Sequence, residues 1–134
     1  MKEKRAAESA SREQENYIEA IDELIRTHGV ARTVDVSRKL GVRAASVSEA
    51  VSRLVKRGMA VRKSWHEIEL TQRGRRIARD LDQRHAALRR FMVECLEMSE
   101  NDADGTACLV EHFVGAEFAG RLVKFMKKSR GSSR

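Results

Sequence analysis

The sequence predicts a mainly α-helical chain carrying one small β-hairpin. Three observations point there. Proline is absent from all 134 residues, apolar residues recur at three- and four-residue intervals over most of the chain, and one short segment instead alternates strictly. The first period is that of a helix with one buried face, and alternation is that of a half-buried strand. With 41% hydrophobic residues the chain can hold one ordinary domain or two small ones sharing a core.

Residues 1–10 are polar and aperiodic, and are expected to form a flexible tail. Ser11 and Gln14 then stand at capping-box spacing. Tyr17, Ile18, Ile21, Leu24 and Ile25 follow at helical spacing, and Gly29 supplies a stop. Thr33 is the expected cap of a short helix bearing Val34, Val36 and Leu40, which ends at Gly41; a longer helix carries Val47, Val51, Leu54 and Val55 to Gly58. A short helix, a glycine-containing turn and a longer helix make a helix-turn-helix.

The helical period breaks at Met59. Residues 60–63 and 67–70 read as two strands around Ser64, Trp65 and His66, the hairpin of a winged helix-turn-helix. Thr71 is the expected cap of a long helix over residues 72–98, basic at first and apolar from Leu88 onward. After a polar stretch at 99–104, one helical period is expected to run through to Met126, with residues 128–134 as a second tail. The expected domains are 11–72 and 73–127.

The charge is uneven. Residues 26–79 hold 14 Lys and Arg against four acidic residues, a balance of +10, whereas residues 91–134 are near neutral. A basic segment folded as a winged helix-turn-helix points to double-stranded DNA, because a B-form major groove admits one α-helix. With Val47, Val51 and Leu54 buried, Arg43, Ser46, Ser48, Glu49 and Arg53 face solvent as candidate readers of base edges and phosphates. Glu49 can accept from cytosine N4, and Arg43 can reach guanine or the backbone. Arg38, Lys39 and Lys63 are candidates to neutralise phosphates.

No apolar run approaches the ~20 residues of a membrane-spanning helix, and no charged-then-apolar leader is readable. The expectation is a cytoplasmic protein without a membrane partner or a small-molecule substrate. Two cysteines, Cys95 and Cys108, are too few for a disulfide framework. In CLVEH, residues 108–112, a thiol, a carboxylate and an imidazole fall three and four positions apart. One helical face would present all three as a chelating comb. A nucleophile-and-base reading of Cys108 and His112 lacks a third orienting residue, so no enzyme is expected.

ENYIEAIDELI, ARTVDVSRKLGVRAASVSEAVSRLVKRG, LTQRGRRIA, RHAALRRF and DADGTACLVEHF, in that order, resemble the metal-dependent repressors related to the diphtheria toxin repressor and the manganese transport regulator. The similarity spans roughly residues 12–126. It implies a homodimer bound to operator DNA, with a helical domain for dimerisation and metal binding. It also implies metal ligands at Asn16, Glu19, His85, Cys108, Glu111 and His112. Asn16 departs from the manganese regulators, which carry aspartate there, and Cys108 matches the iron-type repressors. Arg89 and Asp104 replace a glutamate and a histidine of the iron-type ancillary site, which is therefore expected to be altered. Thiolate, imidazole and carboxylate together favour Fe(II) over Mn(II), while chain length resembles the manganese regulators, so both metals stay open. A metal-independent, thiol-sensing winged-helix regulator is the alternative.

Overall fold

The computed structural model describes residues 9–64 and 66–132, with the backbone alone at residues 116 and 129–132. The expected tail over residues 1–8, Trp65 and residues 133–134 lie outside the described residues. The chain divides after Arg79 into two compact units.

In the first unit, α1 (Arg12–His28) opens on Ser11. Its hydroxyl accepts from Gln14 N–H at 3.1 Å while the Gln14 side chain accepts from Ser11 N–H at 3.0 Å, the reciprocal cap that the spacing predicts. Gly29 closes the helix at φ 79°, in the left-handed region that glycine enters without penalty. The helix-turn-helix consists of α2 (Thr33–Leu40) and α3 (Ala44–Lys56). Ile18, Ile21, Val36, Val47, Val51, Leu54, Met59 and Ile68 are fully enclosed between these helices and the sheet. Each such side chain contributes about 1.5–3 kcal/mol of burial.

The expected hairpin is instead the larger part of a three-stranded antiparallel sheet. Strand β1 (Ala31–Arg32) joins β2 (Ala60–Arg62) and β3 (Glu67–Leu70) in the order β1-β3-β2. Ala31 pairs with Ile68 and Ala60 with Leu70. Two residues are too short to show alternation, which is why β1 is silent in the sequence. The same strand displaces the expected cap: Arg32 is the N-cap of α2 and makes no side-chain cap bond, while Thr33 N–H bonds the His66 carbonyl at 3.1 Å.

Helix α4 (Gln72–Glu94) crosses the unit boundary. Thr71 caps it, accepting from Gly74 N–H at 3.1 Å and donating to the Gly58 carbonyl at 2.6 Å. Ile77 and Ala78 pack into the first core. The helix ends four residues before the expected Met98, because Glu97 adopts φ 56° and Met98 N–H turns back to the Met92 carbonyl at 3.0 Å. That turn places Met98 on the second unit's small core of Leu88, Met92, Ala103 and Ala107.

The expected single C-terminal helix is two, α5 (Glu100–Val110) and α6 (Ala116–Ser132), parted by a turn at 111–115. Periodicity alone continues through the turn, and the break is made by packing that folds Val114 and Leu122 onto the second core. Residues 128–132, expected as tail, continue α6; no proline stops it, and an established helix outweighs the cost of about 1 kcal/mol at Gly131.

Candidate metal centre and DNA-reading face

In the second unit, α4 and α5 bring the CLVEH residues to His85. His85 Nδ1 lies 2.9 Å from Glu111 Oε2 and 3.8 Å from Cys108 Sγ. Glu111 Oε1 faces His112 Nε2 at 3.5 Å. Glu111 is fully buried, the His112 side chain is 5% exposed, and Cys108 is exposed. A fully enclosed carboxylate is costly unless cationic or hydrogen-bonding groups surround it; the His85 imidazole contacts Oε2, while Oε1 has only the more distant His112 ring facing it. Glu111 is the C-cap of α5, its N–H bonded to the Ala107 carbonyl at 2.9 Å, and His112 follows in the turn. The comb predicted for a continuous helix is therefore formed by a last helical turn and the residue after it.

The opposite edge of His85 is also occupied. Its Nε2 lies 2.7 Å from Asp104 Oδ1, which Arg89 Nε approaches at 3.9 Å. Asp104 is a partner of His85 that the sequence reading did not single out as such. The signal was there: it stands one turn before Cys108, on the same face of α5. Asp104 holds the Nε2 edge of the ring, so Nδ1 is the nitrogen that faces Glu111 and Cys108 and the one a metal would take. Nitrogen, oxygen and sulfur donors thus converge within one unit, a set that fits a first-row divalent metal. Of the residues expected from the first unit, Asn16 is exposed and Glu19 half-buried, three positions apart on α1.

On the first unit, Arg43, Ser46, Glu49 and Arg53 of the α3 segment are exposed and Ser48 is half-buried, as the buried face at Val47, Val51 and Leu54 requires. The expected phosphate-neutralising groups are exposed too, two of them in ion pairs: Lys39 Nζ with Glu23 at 2.9 Å and Lys63 Nζ with Glu69 at 3.2 Å. Exposed pairs of this kind contribute only about 0–1 kcal/mol, so they exchange readily for a phosphate. Arg73 and Arg75 contribute less to the basic face than their charge suggests, since each donates to a backbone carbonyl, of Arg57 at 2.9 Å and of Leu70 at 2.7 Å.

Comparison with known proteins places both halves. Residues 9–64 match the iron dependent repressor N-terminal DNA binding domain, and residues 71–132 match the iron dependent repressor metal binding and dimerisation domain. The chain belongs to the iron-dependent repressor family. That is a family of metal-dependent, DNA-binding transcriptional regulators and not of enzymes, as the sequence leads one to expect.

This repressor-family chain is 31% identical over 117 residues to the transcriptional regulator MntR of Escherichia coli, covering 85% of this chain and 73% of that one. It is 36% identical over 117 residues to the HTH-type transcriptional regulator MntR of Lysinibacillus sphaericus, covering 84% and 81%. Its fold matches the crystal structure of T. acidophilum IdeR with a TM-score of 0.73 at 26% identity, over 84% of this chain and 53% of that one. The manganese regulator SloR matches with a TM-score of 0.71 at 26% identity, over 85% and 53%. The repressor-family chain thus spans about half the length of these solved structures. Among its described residues no helix is long and apolar enough to cross a membrane.

Proposed function

We propose that this chain is a cytoplasmic, metal-responsive repressor of metal-homeostasis genes, in which Mn(II) or Fe(II) holds a homodimer in the arrangement that binds operator DNA. The observation that carries the reading is His85 Nδ1 set between Glu111 Oε2 and Cys108 Sγ in a chain of this family. His85, Cys108, Glu111 and His112 would hold the ion, with Glu19 and Asn16 as the ligands from α1 that the resemblance implies. When bound, the ion would supply a positive charge to the imidazole, carboxylate and thiolate donors gathered in the second unit.

The chain's own residues do the rest. Glu111 brings a buried carboxylate whose charge favours a cation, and Asp104 keeps the His85 ring in one orientation. Leu109, Phe113, Phe118 and Phe125 are 72%, 69%, 53% and 52% exposed. So much aromatic and aliphatic surface on one small unit fits a twofold contact. A dimer must present two recognition helices to half-sites about one helical turn apart. Fixing that spacing shifts a population toward the competent state, with a coupling of about 1–3 kcal/mol in typical cases.

An anaerobic titration with Mn(II) and with Fe(II), read as affinity for an operator duplex, tests this in the parent, His85→Ala and Cys108→Ala. Metal should tighten binding by the parent and do so far less for His85→Ala. Equal binding by all three with and without metal would defeat the sensor. The exposed Cys108 thiol keeps a thiol-sensing regulator as a second reading, which requires chelator to have no effect and a mild oxidant to change DNA affinity.

A further inference from the structure

Arg62 ends β2, paired across the sheet with Ile68 of β3. Ile68 is 1% exposed and part of the first core, so the backbone at Arg62 is anchored. Alternation puts Arg62 on the sheet face of buried Ala60, and Val61 and Lys63 on the other. The Arg62 side chain therefore extends the inward row past the edge of the core, and there it meets α3. Its Nη2 donates to the Ser48 carbonyl at 2.8 Å and to Ser52 Oγ at 3.1 Å. The Ser52 hydroxyl itself donates to the Ser48 carbonyl at 2.9 Å. A closed triangle of hydrogen bonds, two of them charge-assisted, ties the wing to the middle of the recognition helix.

We infer that Arg62 is a positioning residue for base recognition: it sets the angle and depth of α3 relative to the wing, and so couples phosphate contacts on the wing to the side chains that read bases. The inference rests on the DNA-reading role of α3 proposed above and deepens it. Charge alone would make Arg62 one more phosphate-neutralising group beside Lys63. The geometry assigns the two neighbours different work. Lys63 pairs with Glu69 on the solvent side of the sheet, whereas Arg62 spends donors on the carbonyl immediately before Glu49. Phosphate contacts hold a protein on DNA without carrying sequence, and base contacts need the helix at a fixed depth. Removal of this strut should therefore reduce discrimination more than grip.

The test uses the full-length, Mn(II)-loaded protein and two probes: the duplex that the parent enriches from a random library, and a random-sequence duplex of equal length. Affinity for both is measured by fluorescence anisotropy over a range of salt concentrations. The variants are Arg62→Ala, Arg62→Lys and Ser52→Ala, each checked by thermal unfolding. For Arg62→Ala the ratio of enriched to random affinity should fall by about tenfold, the size expected when a charge-assisted hydrogen bond is lost. The salt dependence on random duplex should stay that of the parent. Ser52→Ala, which alters no charge, should lower the ratio in the same direction by a smaller factor. Arg62→Lys, able to reach the Ser48 carbonyl with one ammonium donor, should recover most of it.

A loss shared equally by both duplexes, with the salt slope reduced by about one, would make Arg62 a phosphate contact and overturn the inference. An unchanged ratio in Arg62→Ala overturns it as well. If the parent enriches no sequence, the DNA-reading proposal itself fails and the inference with it.

Discussion

Asp104 Oδ1 lies 2.7 Å from His85 Nε2, on the ring edge opposite the 2.9 Å contact between His85 Nδ1 and Glu111 Oε2. One carboxylate thus fixes the imidazole from behind while its other nitrogen looks into the donor cluster. Arg89 Nε approaches the same carboxylate at 3.9 Å, so Asp104 has a second partner.

Asp104→Asn should weaken Mn(II) binding by about 10-fold or more, since groups that orient a ligating histidine typically carry 10–100-fold of metal affinity. Calorimetric titration of the parent and the variant measures it. Unchanged affinity would make Asp104 only the partner of Arg89.

Cys108 is exposed and 3.8 Å from His85 Nδ1. Thiolate ligation should appear as a sulfur-to-metal charge-transfer band in the ultraviolet spectrum of the Co(II)-loaded parent, absent from Cys108→Ser. The same variant should lose Fe(II) affinity by a larger factor than Mn(II) affinity, because the harder ion depends less on sulfur. A parent spectrum without that band removes Cys108 from the ligand set.

Gly74 sits where α4 meets the chain just after α3. A Cβ there would overlap the Met59 carbonyl oxygen and stand 3.3 Å from Leu70 Cβ. The Met59 oxygen accepts the Thr71 N–H at 3.1 Å, so moving it would break the bond that anchors the cap residue of α4. Gly74→Ala should cost about 3 kcal/mol, the upper part of the range for overpacking, despite alanine's better helix propensity. Urea unfolding decides the sign; a stabilised variant would refute the close approach.

Arg53 lies 3.8 Å from both the Glu49 and Glu13 carboxylates, all three exposed. Such pairs contribute about 0.2–1 kcal/mol, too little to hold Glu49 away from a base. Glu49→Ala should therefore relax base preference, and Arg53→Ala should weaken binding to all sequences. Equal effects of both variants on specific and random duplex would end that division of labour.

Tyr17 is the single tyrosine, buried on α1. Burial first, and the Glu13 carboxylate second, push its phenol above the usual 10.0, against a smaller downward pull from Arg53. The folded chain then holds the proton more tightly than the unfolded chain. The resulting stability is fully present below pH 10.0 and is lost as pH rises through the folded value. Ultraviolet titration of the phenolate follows this one group; a midpoint at or below 10.0 would show a solvated ring.

Much of the fold is legible because local physics decides it. The Ser11 and Gln14 cap, the Gly29 and Gly41 stops and the Thr71 cap each follow from bonding groups within a few residues. The buried stripe of α3 follows from period alone, and with it the exposure of Ser46, Glu49 and Arg53. The likeness around CLVEH pointed to a donor cluster, of which the structure joins His85, Cys108, Glu111 and His112 within one unit.

What stayed hidden depends on partners distant in the chain. Strand β1 exists because Ala31 pairs with Ile68, thirty-seven positions on. Asp104 earns its role from His85, and Arg62 from Ser48 and Ser52, neither of which a periodicity can announce. The sequence by itself determined the helices of the first unit, the charged face of α3 and the chemistry of the donor set, since caps, periods and residue types are local properties. Only the tertiary structure decided where α4 and α5 stop, how His85 is oriented and which arginine braces the recognition helix. Those outcomes are set by hydrogen bonds and packing between segments that meet only once the chain has folded.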